Sequence, residues 1–159
     1  HRFRQPVLVE AFLPGREFTV GIVGNGADAR VIGVIEILLN ANAEQGVYSM
    51  NNKENSEELC SYVRASDAEA TMVAERGLAA YLALECRDAC RLDFRSDAAG
   101  EPVFLEANPI AGLHPTHSDL PILSGLHGHG YDELIGWIID AAARRHGLRP
   151  ASTRQRKAR

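Results

Sequence analysis

The sequence of 159 residues lacks long apolar runs and contains little cysteine. No stretch approaches the roughly 20 apolar residues of a membrane-spanning helix, and the chain does not start with the charged and then apolar pattern of a signal peptide. The three cysteines, Cys60, Cys86 and Cys90, are an odd number, which argues against a disulfide framework and for a reducing compartment. We therefore expect a cytoplasmic protein that has no membrane partner.

Charge is nearly balanced overall but not along the chain. The sequence has 17 Lys and Arg residues against 21 Asp and Glu residues, and 45% of its residues are hydrophobic, as in an ordinary globular domain. Seven basic residues and no acidic residue follow Asp140. Because no aromatic residue lies among these charges to stack on bases, they do not favour a nucleic-acid partner. We expect one lobe over residues 1–147 and a disordered basic tail over residues 148–159.

The hydrophobic pattern predicts three strands in the first 40 residues. Apolar runs at 7–13, 17–23 and 30–39 are separated by the turn signals Pro14-Gly15-Arg16 and Asn25-Gly26, as in an antiparallel meander. The third run is apolar on both faces of the strand, which indicates a sheet that is covered on both sides.

The rest of the chain mixes helices and strands. A capping-box pattern, Ser66-x-x-Glu69, precedes residues with helical spacing. The predicted elements are helices at about 67–85 and 132–146, and strands at 89–95 and 102–108. The polar residues 40–58 predict a disordered segment or a functional loop, and residues 109–130, with their three prolines and four glycines, predict an extended loop. This order favours an α+β lobe with a mostly antiparallel sheet and flanking helices.

The predicted hairpin brings two carboxylates together. If its strands pair around the turn between them, Asp93 lies opposite Glu106 and Arg91 lies opposite Asn108, all on one face. Two carboxylates about 5 Å apart repel each other unless a cation lies between them. Oxygen ligands of this kind suit magnesium, which combines a few carboxylates with phosphate oxygens. The alternative is a solvated outer face on which Arg91 and Arg95 neutralise the acids.

Two segments carry a resemblance to a known family. Arg-Leu-Asp-Phe at 91–94, followed by Phe-Leu-Glu-Ala-Asn-Pro at 104–109, resembles the magnesium-binding signature of ATP-grasp enzymes. Val-Glu-Ala-Phe-Leu-Pro-Gly-Arg-Glu-Phe-Thr-Val-Gly at 9–21 is similar to the nucleotide-binding segment of the D-alanine–D-alanine ligase family. The likeness covers about residues 7–147 and implies the C-terminal lobe of an ATP-grasp domain. It further implies an ATP-dependent carboxylate–amine ligase that acts through an acyl phosphate, of which this lobe alone would be inactive.

The resemblance also implies roles for single residues on the nucleotide side. The implied ligands of two magnesium ions, for which manganese could substitute, are Asp93, Glu106 and Asn108. Those implied for ATP are Glu10, Ala11, Phe12 and Leu13, whose backbone would line the adenine, and Glu17, which would accept from the ribose hydroxyls.

Other implied roles concern the reaction itself. Arg91 and the backbone of Gly112 would stabilise a developing oxyanion, Lys53 would reach over the γ-phosphate from a mobile loop, and Ser118 would approach the carboxylate of the amino-acid nucleophile. That nucleophile would be D-alanine or a similar amino acid. The resemblance leaves open whether the protein forms a homodimer.

The sequence departs from the family pattern in three places. Met50 and Asn51 stand where a member usually has tyrosine and glutamate. The segment 112–121 is one residue longer than the common form and carries two histidines and Asp119, which leaves the second substrate open. Nothing here corresponds to the family's N-terminal substrate domain or to the first half of its ATP-grasp unit. This missing N-terminal half of the enzyme would be a required partner.

Several alternatives stay open at this point. A zinc site could form from Asp119 and four histidines, although His114-x-x-His117 lacks the i, i+4 spacing of a helical metal motif. The histidines in question are His114, His117, His127 and His129. The chain could also be a non-catalytic remnant or an interaction module. Glu17 could instead pair with Arg16, Lys53 could be an ordinary surface lysine, and Glu36 has no assigned role.

Overall fold

The computed structural model describes residues 5–39 and 60–148. Within these residues it contains a five-stranded sheet and three α-helices. The elements are β1 (Glu17–Val23), β2 (Arg30–Leu39), β3 (Cys60–Arg64), α1 (Ala68–Ala83), β4 (Ala89–Ser96), β5 (Pro102–Asn108), α2 (Asp119–Leu126) and α3 (Tyr131–Arg145). All neighbouring strands pair antiparallel in the order β3-β2-β1-β4-β5. The predicted α+β architecture is confirmed.

The sheet is covered on both faces, as the apolar pattern of β2 predicts. On one face, α1 packs against alternate residues of β1 and β4, with Val73 and Tyr81 of the helix fully buried. On the other face, α2 and α3 bury Leu120, Leu123 and Leu134 against β1 and β2. The sheet therefore presents β1, β4 and β5 on its α2 side with polar side chains, and the candidate site lies there.

The β4–β5 hairpin has the predicted register. Asp93 pairs with Glu106 and Arg91 pairs with Asn108. The pairing shifts by one residue just beyond Asp93, so that Phe94 faces Phe104. In the turn, the Asp97 carboxylate accepts backbone hydrogen bonds from residues 99 and 101, which closes the hairpin.

The predicted strand at 7–13 is wrong. Residues 6–14 adopt no regular secondary structure, and Val7, Leu8 and Val9 are each at least 80% exposed. The apolar pattern records the strand propensity of these residues, but a strand also needs a partner for its backbone N–H and C=O groups. None of the described residues provides that partner.

The segment 109–130 is also not a loop throughout, because α2 occupies residues 119–126. Its Pro121 lies in the first helical turn, where the backbone N–H has no acceptor within the helix and proline is tolerated. Leu120 and Leu123 then bury one side of the helix. Most of the glycines and prolines of this segment lie outside α2, and Pro121 and Gly125 within it do not prevent the helix.

Smaller differences concern termini and turns. Helix α1 is capped by Asp67, which accepts from the Ala70 N–H, and not by the predicted Ser66. Glu69 binds Arg16 and accepts from the Ser96 hydroxyl, so it closes no capping box. The connection between β1 and β2 contains a short 3-10 turn at Gly26–Asp28. Strand β3 was not predicted from the sequence.

Some predictions fall outside the described residues. These include Lys53, Met50 and Asn51 of the predicted loop, and nearly all of the basic tail. In the described part of the chain, no helix combines the length and the apolar character needed to cross a bilayer. The three cysteines form no disulfide bond with one another.

Candidate functional site

The polar face of β1, β4 and β5 brings together the residues predicted to bind metal. Asp93 lies between Thr19 of β1 and Glu106 of β5 in the sheet, and Arg91 lies beside Asn108. Because alternate residues of a strand share a face, all of these side chains project from the α2 side of the sheet. The sequence-predicted convergence of Asp93, Glu106 and Asn108 on one face is confirmed.

The Asp93 carboxylate is held by three donors. Its Oδ1 accepts from the Thr19 hydroxyl at 2.9 Å, and its Oδ2 accepts from Arg91 Nη2 at 2.8 Å and from Asn108 Nδ2 at 3.2 Å. Its side chain is only 13% exposed. Thr19 was not predicted as a site residue, because its role depends on the register between β1 and β4, which are 74 residues apart at this contact.

Burial and charge set the protonation behaviour of this pair. Burial raises the pKa of Asp93, and the nearby Arg91 guanidinium only partly offsets it. Burial lowers the pKa of Arg91, but the carboxylates of Asp93 and Asp119 outweigh it and raise the pKa overall. Arg91 thus stays charged beside the carboxylates of Asp93 and Asp119.

Two carboxylates from different elements form ion pairs with Arg91. Its Nη2 lies 2.8 Å from Asp93, and its Nη1 lies 2.6 Å from Asp119, the first residue of α2. Its third acidic neighbour, Glu106, is 3.9 Å from Nη2. Among the described residues, Arg91 Nε is buried without a hydrogen-bond partner. Asp119, which the sequence analysis considered as part of a zinc site, belongs instead to this cluster.

The donor set fits a hard cation that is completed by phosphate. Glu106 is 52% exposed, and its ion pair with Arg91 among the described residues is a long one of 3.9 Å, so its carboxylate faces solvent. Asp93 and the Asn108 side-chain oxygen add two further oxygen donors, of the kind that Mg²⁺ prefers. Within residues 5–39 and 60–148, no group of three or more His, Cys, Asp or Glu residues is arranged as a complete metal site. A metal ion on this face would need further ligands, such as the phosphate oxygens of a nucleotide.

The predicted nucleotide residues lie at the other end of the same face. Glu10, Ala11 and Phe12 are exposed and Leu13 is partly buried, all within the segment that forms no strand. Glu17 forms a 3.0 Å ion pair with Arg95. The Arg95 guanidinium also lies 5.8 Å from the centre of the Phe12 ring. Arg95 is thus a link between Glu17 and the predicted adenine segment.

Arg16, the alternative partner considered for Glu17, belongs to a separate network. Two of its guanidinium nitrogens donate to the Glu36 carboxylate, at 2.9 and 2.6 Å. It also binds Asp67 and Glu69 at the start of α1. Glu36, which had no role in the sequence analysis, therefore joins the sheet to α1 through Arg16.

Gly112, predicted as a catalytic residue, lies next to Ser118, predicted as a substrate residue. Ser118 Oγ accepts from the His114 N–H at 3.0 Å, and a Cβ added at Gly112 would lie 2.6 Å from Ser118 Oγ. The Tyr131 hydroxyl donates to the Leu113 carbonyl at 2.9 Å, which ties this loop to the start of α3. Since Ser118 directly precedes Asp119, the loop is joined to the Arg91 cluster.

The histidines do not converge, so the zinc alternative is wrong. His127 Nε2 lies 2.9–3.1 Å from the backbone O and N of Val34, at the opposite end of α2 from Asp119. The His129 ring packs edge-on against Trp137. Only His114 and His117 are neighbours, with ring centres 4.5 Å apart.

Comparisons with known proteins find a matching family model and similar sequences. The family model described as "D-ala D-ala ligase C-terminus" matches residues 1–140. The chain is 39% identical over 144 residues to D-alanine–D-alanine ligase of Bordetella petrii, which covers 89% of this chain and 43% of that protein. It is 37% identical over 147 residues to the ligase of Bordetella pertussis, covering 89% of this chain and 44% of that protein. The chain thus spans less than half of the length of these relatives.

A solved structure has the same fold. The D-alanine–D-alanine ligase of Bacillus anthracis, determined in complex with ATP, superposes with a TM-score of 0.66. The match has 22% sequence identity and covers 86% of this chain and 40% of the other.

Proposed function

The chain belongs to the D-alanine–D-alanine ligase family and matches its C-terminal part, and on this premise we propose that it is the lobe that binds Mg-ATP in a carboxylate–amine ligase. The observation that carries the proposal is the set of Asp93, Glu106 and Asn108 on one sheet face, with Arg91 beside them. The upstream half of the domain would supply the other side of the nucleotide site.

In this proposal, Asp93, Glu106 and Asn108 hold two magnesium ions, or manganese in their place. The metal supplies positive charge that neutralises the phosphates of ATP. The chain itself fixes the ligands before the nucleotide arrives, since Thr19 and Asn108 both donate to Asp93. Glu106 is left exposed to meet the ligand. A prearranged anionic face of this kind lowers the cost of assembling the site.

The reaction we propose has two steps. A substrate carboxylate oxygen attacks the γ-phosphorus of ATP and forms an acyl phosphate while ADP leaves. The amine of a second amino acid, D-alanine or a similar one, then attacks the acyl carbon and loses a proton, and inorganic phosphate leaves with the C–O bonding electrons. Negative charge develops on the acyl oxygen in the second step, and donors aimed at that oxygen accelerate it.

Arg91 and the Gly112 backbone N–H are the donors that we assign to that oxygen. A buried guanidinium in a site of low dielectric stabilises a developing anion more strongly than it would in water. Ser118, in contact with Gly112, would hold the carboxylate of the attacking amino acid. Lys53, which precedes β3 in the sequence, would reach over the γ-phosphate of ATP.

On the nucleotide side, the backbone of Glu10, Ala11, Phe12 and Leu13 would receive the adenine and Glu17 the ribose. Val7, Leu8 and Val9 are exposed in this chain, which agrees with a segment that packs against a further part of the enzyme. The chain alone would then bind nucleotide weakly and form no dipeptide.

The test is amino-acid-dependent phosphate release from ATP by the protein completed with its upstream half. We expect Asp93→Asn and Glu106→Gln each to abolish most of the activity. Glu101→Gln is the matched control, because Glu101 is an acid of the same hairpin that pairs with Arg76 away from the site. If the completed protein binds no Mg-ATP analogue and releases no phosphate, the chain is a non-catalytic module and the proposal is wrong.

A further inference from the structure

A second acidic residue beside Arg91 calls for an explanation. Asp93 already pairs with the Arg91 guanidinium. In the proposed function, Arg91 therefore competes with the metal ion for the Asp93 carboxylate. Yet Asp119 contributes the shorter of the two contacts, 2.6 Å against 2.8 Å, and is as buried as Asp93, with 13% of each side chain exposed.

Asp119 is presented by a rigid element. It is the first residue of α2, where a carboxylate is stabilised by the free N–H groups of the helix end. Leu120 and Leu123 anchor the helix in the core. His127, which caps its C-terminal end, binds the backbone of Val34. The position of the Asp119 carboxylate is therefore fixed by packing that does not involve the candidate site.

The two contacts together orient the guanidinium. Asp119 binds Nη1 and Asp93 binds Nη2, so the plane and the direction of the group are both set. Without Asp119, the remaining acidic neighbours of Arg91 among the described residues would be Asp93, which it already binds, and Glu106, which is 3.9 Å away. The guanidinium would then be free to turn towards Glu106, a predicted metal ligand.

We propose that Asp119 is a positioning residue that fixes the Arg91 guanidinium in its observed orientation, which keeps it from turning onto Glu106 and directs it to the acyl oxygen. The inference rests on the proposed function for its catalytic part. The holding contact itself is independent of that function.

The first experiment uses nitrogen NMR on the full 159-residue chain without metal. In the unchanged chain we expect hindered rotation about the Nε–Cζ bond of Arg91 and separate signals for its two Nη groups. In Asp119→Asn these signals should merge. The matched control is Asp132→Asn, which removes an exposed acid from the first turn of α3. Separate Arg91 signals in a folded Asp119→Asn variant would overturn the inference.

The second experiment is a double-mutant cycle on Mn²⁺ affinity, measured by electron paramagnetic resonance on the same chain. Asp119→Asn should weaken Mn²⁺ binding by about threefold or more in the unchanged background and should have no effect in Arg91→Ala, because Asp119 acts through Arg91. An equal loss in both backgrounds would show that Asp119 merely adds negative charge. That outcome would contradict the positioning role.

The third experiment measures ligation by the completed protein. We expect Asp119→Asn to lower kcat roughly 10-fold to 100-fold, as for a misplaced catalytic group, with an unchanged KM for ATP and partial recovery in Asp119→Glu. An unchanged kcat in an active enzyme would refute the catalytic part of the inference. If the unsubstituted protein is itself inactive, the proposed function fails, whereas the NMR result still decides whether Asp119 holds Arg91.

Discussion

Replacing Thr19 by valine should destabilise the metal-free chain in a way that depends on pH. Thr19 is fully buried and its hydroxyl donates to Asp93 Oδ1 at 2.9 Å. Valine has almost the same shape but no donor, so the Asp93 carboxylate loses one of its three donors. A hydrogen bond to a charged group contributes about 1.5–3 kcal/mol to stability, whereas one between neutral groups contributes about 0.5–1.5 kcal/mol. The loss should therefore be larger where Asp93 is ionised.

The sign of the pH effect follows from the direction of the Asp93 pKa. Burial raises this pKa above its unfolded value, so the folded chain binds a proton more readily than the unfolded chain does. Stability from this group is thus greatest at low pH and falls as the pH rises through the folded pKa. Thr19→Val removes a donor that favours the ionised form, which raises the pKa further and steepens the fall.

The assay is urea unfolding of the unchanged chain and of Thr19→Val at several pH values below and above the folded pKa of Asp93. We expect the difference in unfolding free energy between these two proteins to grow towards neutral pH. Thr19→Ser keeps the hydroxyl and is the control, because it loses a methyl group but should show no such growth. A Thr19→Val effect that is the same at every pH, or equal growth in Thr19→Ser, would refute the reasoning.

Three further predictions concern other parts of the molecule. In the completed enzyme, Arg91→Ala should lower kcat by about 10²-fold or more with little change in ATP affinity, measured by steady-state ligation and analogue binding, and a loss of affinity alone would contradict its assigned role. Gly33→Ala should cost about 1–3 kcal/mol in urea unfolding, because its Cβ would lie 2.3 Å from the His127 ring, and His127→Ala should relieve part of that specific cost in a double-mutant cycle. Hydrogen bonding from Arg145 lowers the pKa of Asp88, so Asp88→Asn should destabilise the chain at neutral pH and not once the pH has fallen below the folded pKa; a pH-independent loss in acid titrations would contradict this.

The hairpin shows what a sequence can predict about such a site. Its turn residues and alternating pattern predict that Asp93 lies opposite Glu106 on one face, and this pairing is found, although the register shifts by one residue between Asp93 and Phe94. The α1 and α3 helices are likewise marked by their apolar spacing. Local patterns of this kind involve residues that are near one another in the chain.

The features that the sequence missed depend on distant contacts. Thr19 and Asp119 acquire their roles only when β1 pairs with β4 and α2 packs on the sheet, across 74 and 28 residues respectively. Helix α2 itself was missed because the glycines and prolines of the segment 109–130 suggest a loop, whereas the helix buries Leu120 and Leu123 in the core. The prediction for residues 7–13 was wrong in the opposite way. Their apolar pattern predicted a strand, but none of the described residues pairs with them.

The most direct test of the central proposal is to map the divalent cation on the chain. Paramagnetic line broadening by Mn²⁺, recorded by NMR in the presence of ADP, should centre on residues 91–93 and 106–108 and should disappear in Asp93→Asn. Broadening that instead centres on the acidic network around Arg16, or that survives unchanged in Asp93→Asn, would contradict the assignment of this sheet face as the Mg-ATP site.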